Sequence, residues 1–269
     1  MDAHLPAASA LPLPVHLWYD GPHPPCENMR RDAALLRAAA DGQSTRTVMR
    51  LFTFDPHGIT LGMAQDPARE LDLGAVAADG VPWAVRPTGG RAIFHAQEWT
   101  FSLVTTLGEG GWAADARAAY ARTSEWLAAA LQRLGAPVRL ANADHGGLAP
   151  RAGAAAAPPC FASTARHELT LGGRKFAGIA QRRQGAALLQ QGSLLLGGGH
   201  LRLVDYQRLA PGSREVARHA LACAAADASA YLGADASLEQ LAGALVSVWG
   251  VNSVTLTVGE AGGRMFGIA

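Results

Sequence analysis

The chain has 269 residues, 49% of them hydrophobic, and a formal net charge of +1. That length can bury a full core as one large domain or two small ones. The near-neutral balance excludes a strongly basic nucleic-acid binder, and no apolar run reaches the ~20 residues that a bilayer-spanning helix needs.

Met1–Leu17 is rich in Ala and Pro but has no basic start, so residues 1–17 read as a disordered lead-in and 18–269 as a single domain. Glu27–Ala40 places Met29, Ala33, Leu36 and Ala40 at helical spacing. Val48–Phe54 alternates as a strand, closed by the turn Asp55-Pro56-His57-Gly58. Trp83–Arg86, Ala92–His95 and Thr100–Thr105 predict further strands, the first two flanking a turn at Gly89-Gly90. Ala114–Leu134 is the clearest helix, with Tyr120, Leu127, Leu131 and Leu134 on one face and Gly135 and Pro137 ending it.

An Ala/Pro/Gly stretch without a periodic apolar face predicts a mobile loop around 143–159. His167–Leu171, Arg174–Arg183 and Ala186–Leu196 then alternate as strands, and Gly172-Gly173 is a two-residue hairpin signal. Helices follow at Arg214–Leu232 and Leu238–Trp249, the second with Ser237 and Gln240 at capping-box spacing. Val251–Val258 is the last strand. Strands and helices intermingle without a βαβ rhythm, which predicts an α+β fold with a mixed, largely antiparallel sheet flanked by helices.

Three segments carry residues suited to chemistry. Cys160 follows Pro158-Pro159, which holds the approach extended. A free thiol has a pKa of about 8.5, so a nearby cation is needed to raise the thiolate fraction. The bland alternative is a buried, inert cysteine. Cys26, Cys160 and Cys223 are odd in number and widely spaced, which disfavours a disulfide framework or a zinc site and fits a reducing cytoplasm. His167 is the near imidazole in sequence, but the hairpin turns it to the face opposite Lys175.

Lys175 stands out by composition: of 23 basic residues it is the one Lys, the other 22 being Arg. Arg never deprotonates and its fork needs more room, so a Lys retained in such a chain points to a need for a compact ammonium. The competing reading is the chance survival of a solvent-facing Lys paired with Glu168. With a two-residue turn at Gly172-Gly173, Leu171 pairs with Arg174 and Lys175 lies beside Thr170, sharing its face with Ala177 and Ile179. Gly178 permits close approach of a ligand or backbone. The third segment runs from Arg86 through Thr88, Gly89 and Gly90 to His95; paired glycines bring backbone N–H groups close to a carbonyl or phosphate, although the spacing is not that of a P-loop.

Together the segments Glu27-Asn28-Met29…Asp32, Arg86…Thr88-Gly89-Gly90…His95, Glu98…Ser102, Cys160-Phe161, Gly173-Arg174-Lys175…Gly178…Ala180-Gln181-Arg182 and Gln190…Gly192-Ser193 resemble the lipoate-protein ligase and octanoyltransferase family. They cover about Glu27 to Leu196. The resemblance implies a biotin/lipoate ligase-like catalytic domain in which Lys175 holds the acyl carbonyl. Arg86, Thr88, Gly89, Gly90, His95, Gly178 and Ala180 are then expected to line the acyl site. Cys160-Phe161 is similar to the branch in which this cysteine accepts the acyl group from an acyl carrier protein thioester and passes it to a lysine of a lipoyl domain or glycine-cleavage H protein. It implies no cofactor and no metal, no nucleic-acid or membrane partner, and a cytoplasmic setting. Arg91, Arg174, Arg182 and Arg183 are candidates for docking acidic protein partners. The alternatives are an ATP-dependent lipoate ligase, an amidotransferase between lipoyl proteins, and a non-catalytic lipoyl-domain binder. Three positions depart from the pattern: Ala33 for Glu, Val85 for Arg, and Gln191 for a frequent His.

Overall fold

The computed structural model describes residues 14–108, 111–141, 167–233, 236–249, 254–259 and 262–263. In chain order its elements are β1 (Val15–His23), α1 (Pro25–Ala40), β2 (Thr47–Phe54), β3 (Gly58–Leu61), the short helices α2 (Pro67–Glu70) and α3 (Leu73–Ala78), then β4 (Trp83–Val85), β5 (Ile93–His95) and β6 (Glu98–Thr106). They continue through α4 (Ala116–Arg133), β7 (Arg139–Leu140), β8 (Leu169–Leu171), β9 (Arg174–Lys175), β10 (Ala177–Gln184) and β11 (Ala187–Leu195). A 3₁₀ turn (Gly198–Arg202), α5 (Leu203–Tyr206), α6 (Arg214–Ala224), α7 (Ser229–Leu232), α8 (Leu238–Trp249) and β12 (Val254–Val258) complete it.

The main sheet has the order β10-β11-β6-β2-β1-β12. Its β10–β2 half is antiparallel, and β1 pairs in parallel with both β2 and β12. Alternate residues of the central strands enter different cores. Met49, Leu51, Leu103 and Leu188 face one cluster with α4 and α8, whereas Val48, Val104 and Leu189 face Leu35 and Leu36 of α1. A sheet covered on both faces explains why these strands are almost wholly buried. On the α4/α8 side, Trp112, Trp126 and Trp249 meet as an aromatic cluster, Trp112 and Trp249 stacked at 4.8 Å between centroids. The expected α+β architecture, a mixed sheet flanked by helices, is the one observed.

Several boundaries differ from expectation, each for a tertiary reason. β1 begins at Val15, inside the expected lead-in, because Val15 and Leu17 pair with β2 and β12 and are fully buried. β4 and β5 do not pair around Gly89-Gly90: the unpredicted β3 lies between them, parallel to β4 and antiparallel to β5. The helix expected to reach Leu232 stops at Ala224. Ala225 is extended there, and the backbone N–H groups of Ala226 and Ala228 donate to Lys175 and Leu195 instead of continuing the helix. An Ala-rich periodicity cannot reveal that competition. The Ser237–Gln240 capping box is present, with Ser237 N–H on Gln240 Oε1 at 2.8 Å. The loop expected around 143–159 lies outside the described residues.

Candidate active site

The segment 86–91 leaves β4 and returns to β5 with two backbone bonds, Arg86 N–H to Leu61 O at 2.8 Å and Met63 N–H to Thr88 O at 2.9 Å, and is otherwise held by side chains. Arg86, 5% exposed, supplies most of them. Its Nε and Nη2 donate to Gly89 O at 3.1 and 2.8 Å, Nη2 also to Arg91 O at 2.7 Å, and Nη1 to Thr60 O at 3.2 Å. The planar fork of a guanidinium suits such convergent carbonyls. Gly62 packs beneath: a Cβ there would meet Gly90 O at 2.0 Å, so only glycine allows the approach.

Two further contacts tie the loop to the sheet. Thr88 Oγ1 donates to Gln191 Oε1 at 2.7 Å, and Gln191 Nε2 donates to Asp32 Oδ2 of α1 at 2.6 Å. Asp32 Oδ1 in turn accepts from Ser102 Oγ and from Arg50 Nη1 at 2.7 and 2.9 Å. Arg50 is completely buried in β2; it also pairs with Asp20 at 2.6 Å and donates to Asn28 Oδ1 at 2.5 Å. On the solvent side Arg31 bridges Asp20 and Glu27. Hydrogen bonding from Arg30, reinforced by Arg31, pulls the Glu27 carboxyl down to about 2.

On the other flank, His95 Nε2 meets Thr60 Oγ1 at 2.6 Å, and Nδ1 meets Glu98 Oε1 at 2.5 Å. The same Glu98 oxygen accepts from Thr100 and Ser193 hydroxyls at 2.8 and 2.9 Å. With Glu98 ionised, His95 carries its proton on Nδ1 and turns Nε2 to the Thr60 hydroxyl, an assignment that satisfies both ring nitrogens. Phe54 stacks on this imidazole at 3.9 Å and 17°.

These groups enclose a narrow cavity of about 30 Å³ between α1, β2, β3, β5, β6, β10 and β11. Of the sequence candidates, Arg86, His95, Gly178 and Ala180 line it. Thr88, Gly89 and Gly90 stand behind that wall and reach it through Arg86 and Gln191. Met29, Phe52, Phe54, Thr60 and Ile93 also line it; nothing in their local pattern separated them from ordinary core. Arg50 did leave a signal, a charge in the middle of the otherwise apolar run Thr47–Phe54, since such a residue is buried only with partners.

Lys175 sits beside Thr170, and Gly172-Gly173 turn with φ of 58° and 77°, as the hairpin predicted. Its Nζ donates to Glu168 Oε1 at 2.7 Å. Both residues are buried, Lys175 at 4% exposure, so the competing reading of a solvent-facing Lys fails although the partner it named is the one observed. The shared face with Ala177 and Ile179 is also corrected. Phe176 and Ala177 both enter the α4/α8 core, which breaks the alternation between β9 and β10 and leaves Lys175 pointing away from that core. Lys175 is not on the wall of the narrow cavity. Cys160 lies outside the described residues; His167, the imidazole near it in sequence, is described and has φ of 64°. Among the described residues there is no cluster of three or more metal-ligating side chains, and no helix is long and apolar enough to cross a membrane.

Residues 24–248 match the family described as the lipoyl protein ligase A/B catalytic domain. Octanoyltransferase LipM of Moorella thermoacetica is 37% identical over 187 residues, which span 68% of this chain and 67% of that protein. The LipM proteins of Kyrpidia tusciae and Symbiobacterium thermophilum are 36% and 38% identical, over 61% and 63% of their own lengths. Among solved structures, a bipartite lipoate protein ligase from Thermoplasma acidophilum superposes with a TM-score of 0.68 at 16% identity, covering 91% of this chain and 86% of that one. A lipoate-protein ligase A bound with ATP gives 0.62 at 16% identity, covering 94% and 92%. At that identity the two structures speak for the fold.

Proposed function

We propose, from the premise that the chain belongs to the lipoyl protein ligase A/B catalytic domain family, that this acyltransferase moves an octanoyl group from an acyl carrier protein thioester to a lysine of a lipoyl domain or H protein. The observation that carries the reading is the buried ammonium of Lys175, fixed by Glu168 at 2.7 Å, in a chain similar to octanoyltransferases over 187 residues.

The reaction has two half-steps. Cys160 thiolate attacks the thioester carbonyl, the carrier thiolate leaves and takes up a proton, and an acyl-enzyme forms. The neutral ε-amine of the acceptor lysine then attacks that acyl-enzyme; an amide forms, the Cys160 thiolate leaves, and the amine loses a proton. Splitting the transfer lets two protein partners dock in turn. The Lys175 cation favours the thiolate and stabilises the oxyanion in both half-steps. Glu168 holds that cation at one position, so the charge meets the oxyanion without searching for it. The reading calls for neither ATP nor a metal.

Docking of acidic partners draws on Arg91, Arg174, Arg182 and Arg183. Of these, Arg182 already reaches the glycine loop, donating to Pro87 O at 3.1 Å, so a carrier bound there would sense the loop directly.

The test is the intact mass of the purified chain mixed with octanoyl carrier protein without ATP. A hydroxylamine-labile octanoyl adduct that disappears in Cys160→Ala is expected. No adduct, with transfer appearing only after free acid and ATP are added, would identify an ATP-dependent ligase. An adduct formed only from an octanoylated lipoyl protein would identify an amidotransferase.

A further inference from the structure

The narrow cavity is too small for the group it is proposed to hold. Its volume of about 30 Å³ is far below the roughly 300–1,000 Å³ of pockets that hold a drug-sized ligand. An eight-carbon chain therefore requires a wall to yield. Most of the lining is backed by packed structure. At Gly192, for instance, a Cβ would already meet the Phe101 ring at 2.4 Å, and Gln191 is fastened at both ends of its amide.

One wall is backed by empty space. Phe54 and His95 line the narrow cavity on one side and, on the other, a larger cleft of about 480 Å³. Trp99, Leu196, Ala236 and Leu238 give that cleft apolar surface. The two rings are stacked, but they are not equally held. His95 is hydrogen-bonded through both nitrogens to Thr60 and Glu98. Phe54 has no polar anchor and packs on His95 and, edge-on at 5.6 Å, on Phe52.

We infer that Phe54 is the end stop of the acyl cavity, and that the cleft behind it receives the tail of longer acyl chains once the ring is removed. The inference rests on the octanoyl-transfer reading and adds the residue that sets chain length. His95 is the fixed backing of the stop, Phe54 its movable part. A short shift of the phenyl ring accommodates the octanoyl tail; longer chains would have to displace it altogether.

The experiment compares wild type, Phe54→Leu and Phe54→Ala with carrier protein loaded with octanoyl, dodecanoyl or tetradecanoyl groups, product being read by intact mass on a lipoyl-domain acceptor. The dodecanoyl-to-octanoyl ratio of kcat/KM should rise about tenfold or more in Phe54→Ala and less in Phe54→Leu, the scale of discrimination that methylenes give in an apolar pocket. The rise should come from a lower KM for the long chain. Adding Ala236→Phe, which refills the cleft, should reverse it. A ratio within about twofold of wild type in both variants, with octanoyl transfer retained, overturns the end stop; so does an equal loss for every chain length, the mark of a merely structural role. If Phe54→Ala fails to fold, the ratio in Phe54→Leu decides. Absence of octanoyl transfer by wild type itself is a different result and overturns the transfer reading together with the inference.

Discussion

Thr88 of the glycine loop and Gln191 of β11 are joined by a 2.7 Å hydrogen bond between buried side chains, and the same Gln191 amide gives its N–H to Asp32 at 2.6 Å. The loop is thus held from the α1 side through Asp32, Gln191 and Thr88, and from the β6 side through Glu98, His95, Thr60 and Arg86. Both chains end on a buried carboxylate. Thr88→Val should cost about 1–3 kcal/mol, the price of leaving the Gln191 carbonyl buried and unmatched. Gln191→Glu should cost more, because it sets a second carboxylate against Asp32. Urea melts and kcat/KM for octanoyl transfer would measure both; wild-type values for Gln191→Glu would remove the loop-clamp role.

Arg50 is the charge on which the α1 side depends. Arg50→Met leaves Asp20 and Asp32 facing each other without their shared cation, and should lower stability by about 3–5 kcal/mol. Adding Asp20→Asn and Asp32→Asn to Arg50→Met should recover part of that loss, since the uncompensated charges are then gone. Chemical denaturation of the single and triple variants checks the sign. A triple variant less stable than Arg50→Met would mean that the carboxylates serve a purpose beyond balancing Arg50.

At Lys175 stability and activity can be separated. Lys175→Arg keeps the charge but not its compact shape, and its rate should fall by about 10²–10³, the scale of losing an oxyanion donor. Lys175→Met strands the buried Glu168 carboxylate and should also destabilise the fold. In Lys175→Met with Glu168→Gln, stability should return while transfer stays lost. Return of transfer in that double variant would dismiss the ammonium from the reaction.

The acid side of the stability curve carries a signature from α1. Glu27 sits near 2 in the folded chain, against an ordinary value of 4.5, chiefly through Arg30. The unfolded chain therefore takes up this proton first. Its contribution is fully present above pH 4.5 and is lost as pH falls from 4.5 towards 2. Glu27→Gln should flatten the stability curve in that window and leave its slope near pH 7 unchanged; an unchanged acid limb would contradict the pairing.

Much of this was legible from local pattern. The hairpin at Gly172-Gly173, the register of Lys175 beside Thr170, the capping box at Ser237 and the helices α1, α4 and α8 follow from turn chemistry and periodicity. What stayed hidden depended on distant partners. β3 has four residues, too few for alternation to register, and owes its place to β4 and β5. The break at Phe176 depends on two cores competing for adjacent residues, and the end of α6 on carbonyls of β9 and β11 that take its N–H groups. Gln191 could be noticed as a departure, but its two partners lie 103 and 159 residues away.

The pairing of β1 with β12 sets a condition on how the polypeptide is made. Trp18 Nε1 donates to Gly259 O, 241 residues further along, and a Cβ on Gly262 would meet the same indole at 2.3 Å. While the chain emerges from a ribosome, β1 has no outer neighbour, and its free edge is a template that any extended peptide could occupy. Synthesis must reach β12, at Val254–Val258, before that edge is covered. A nascent chain stalled before β12 would hold a folded centre beside an open, adhesive border, the kind of intermediate on which chaperones act.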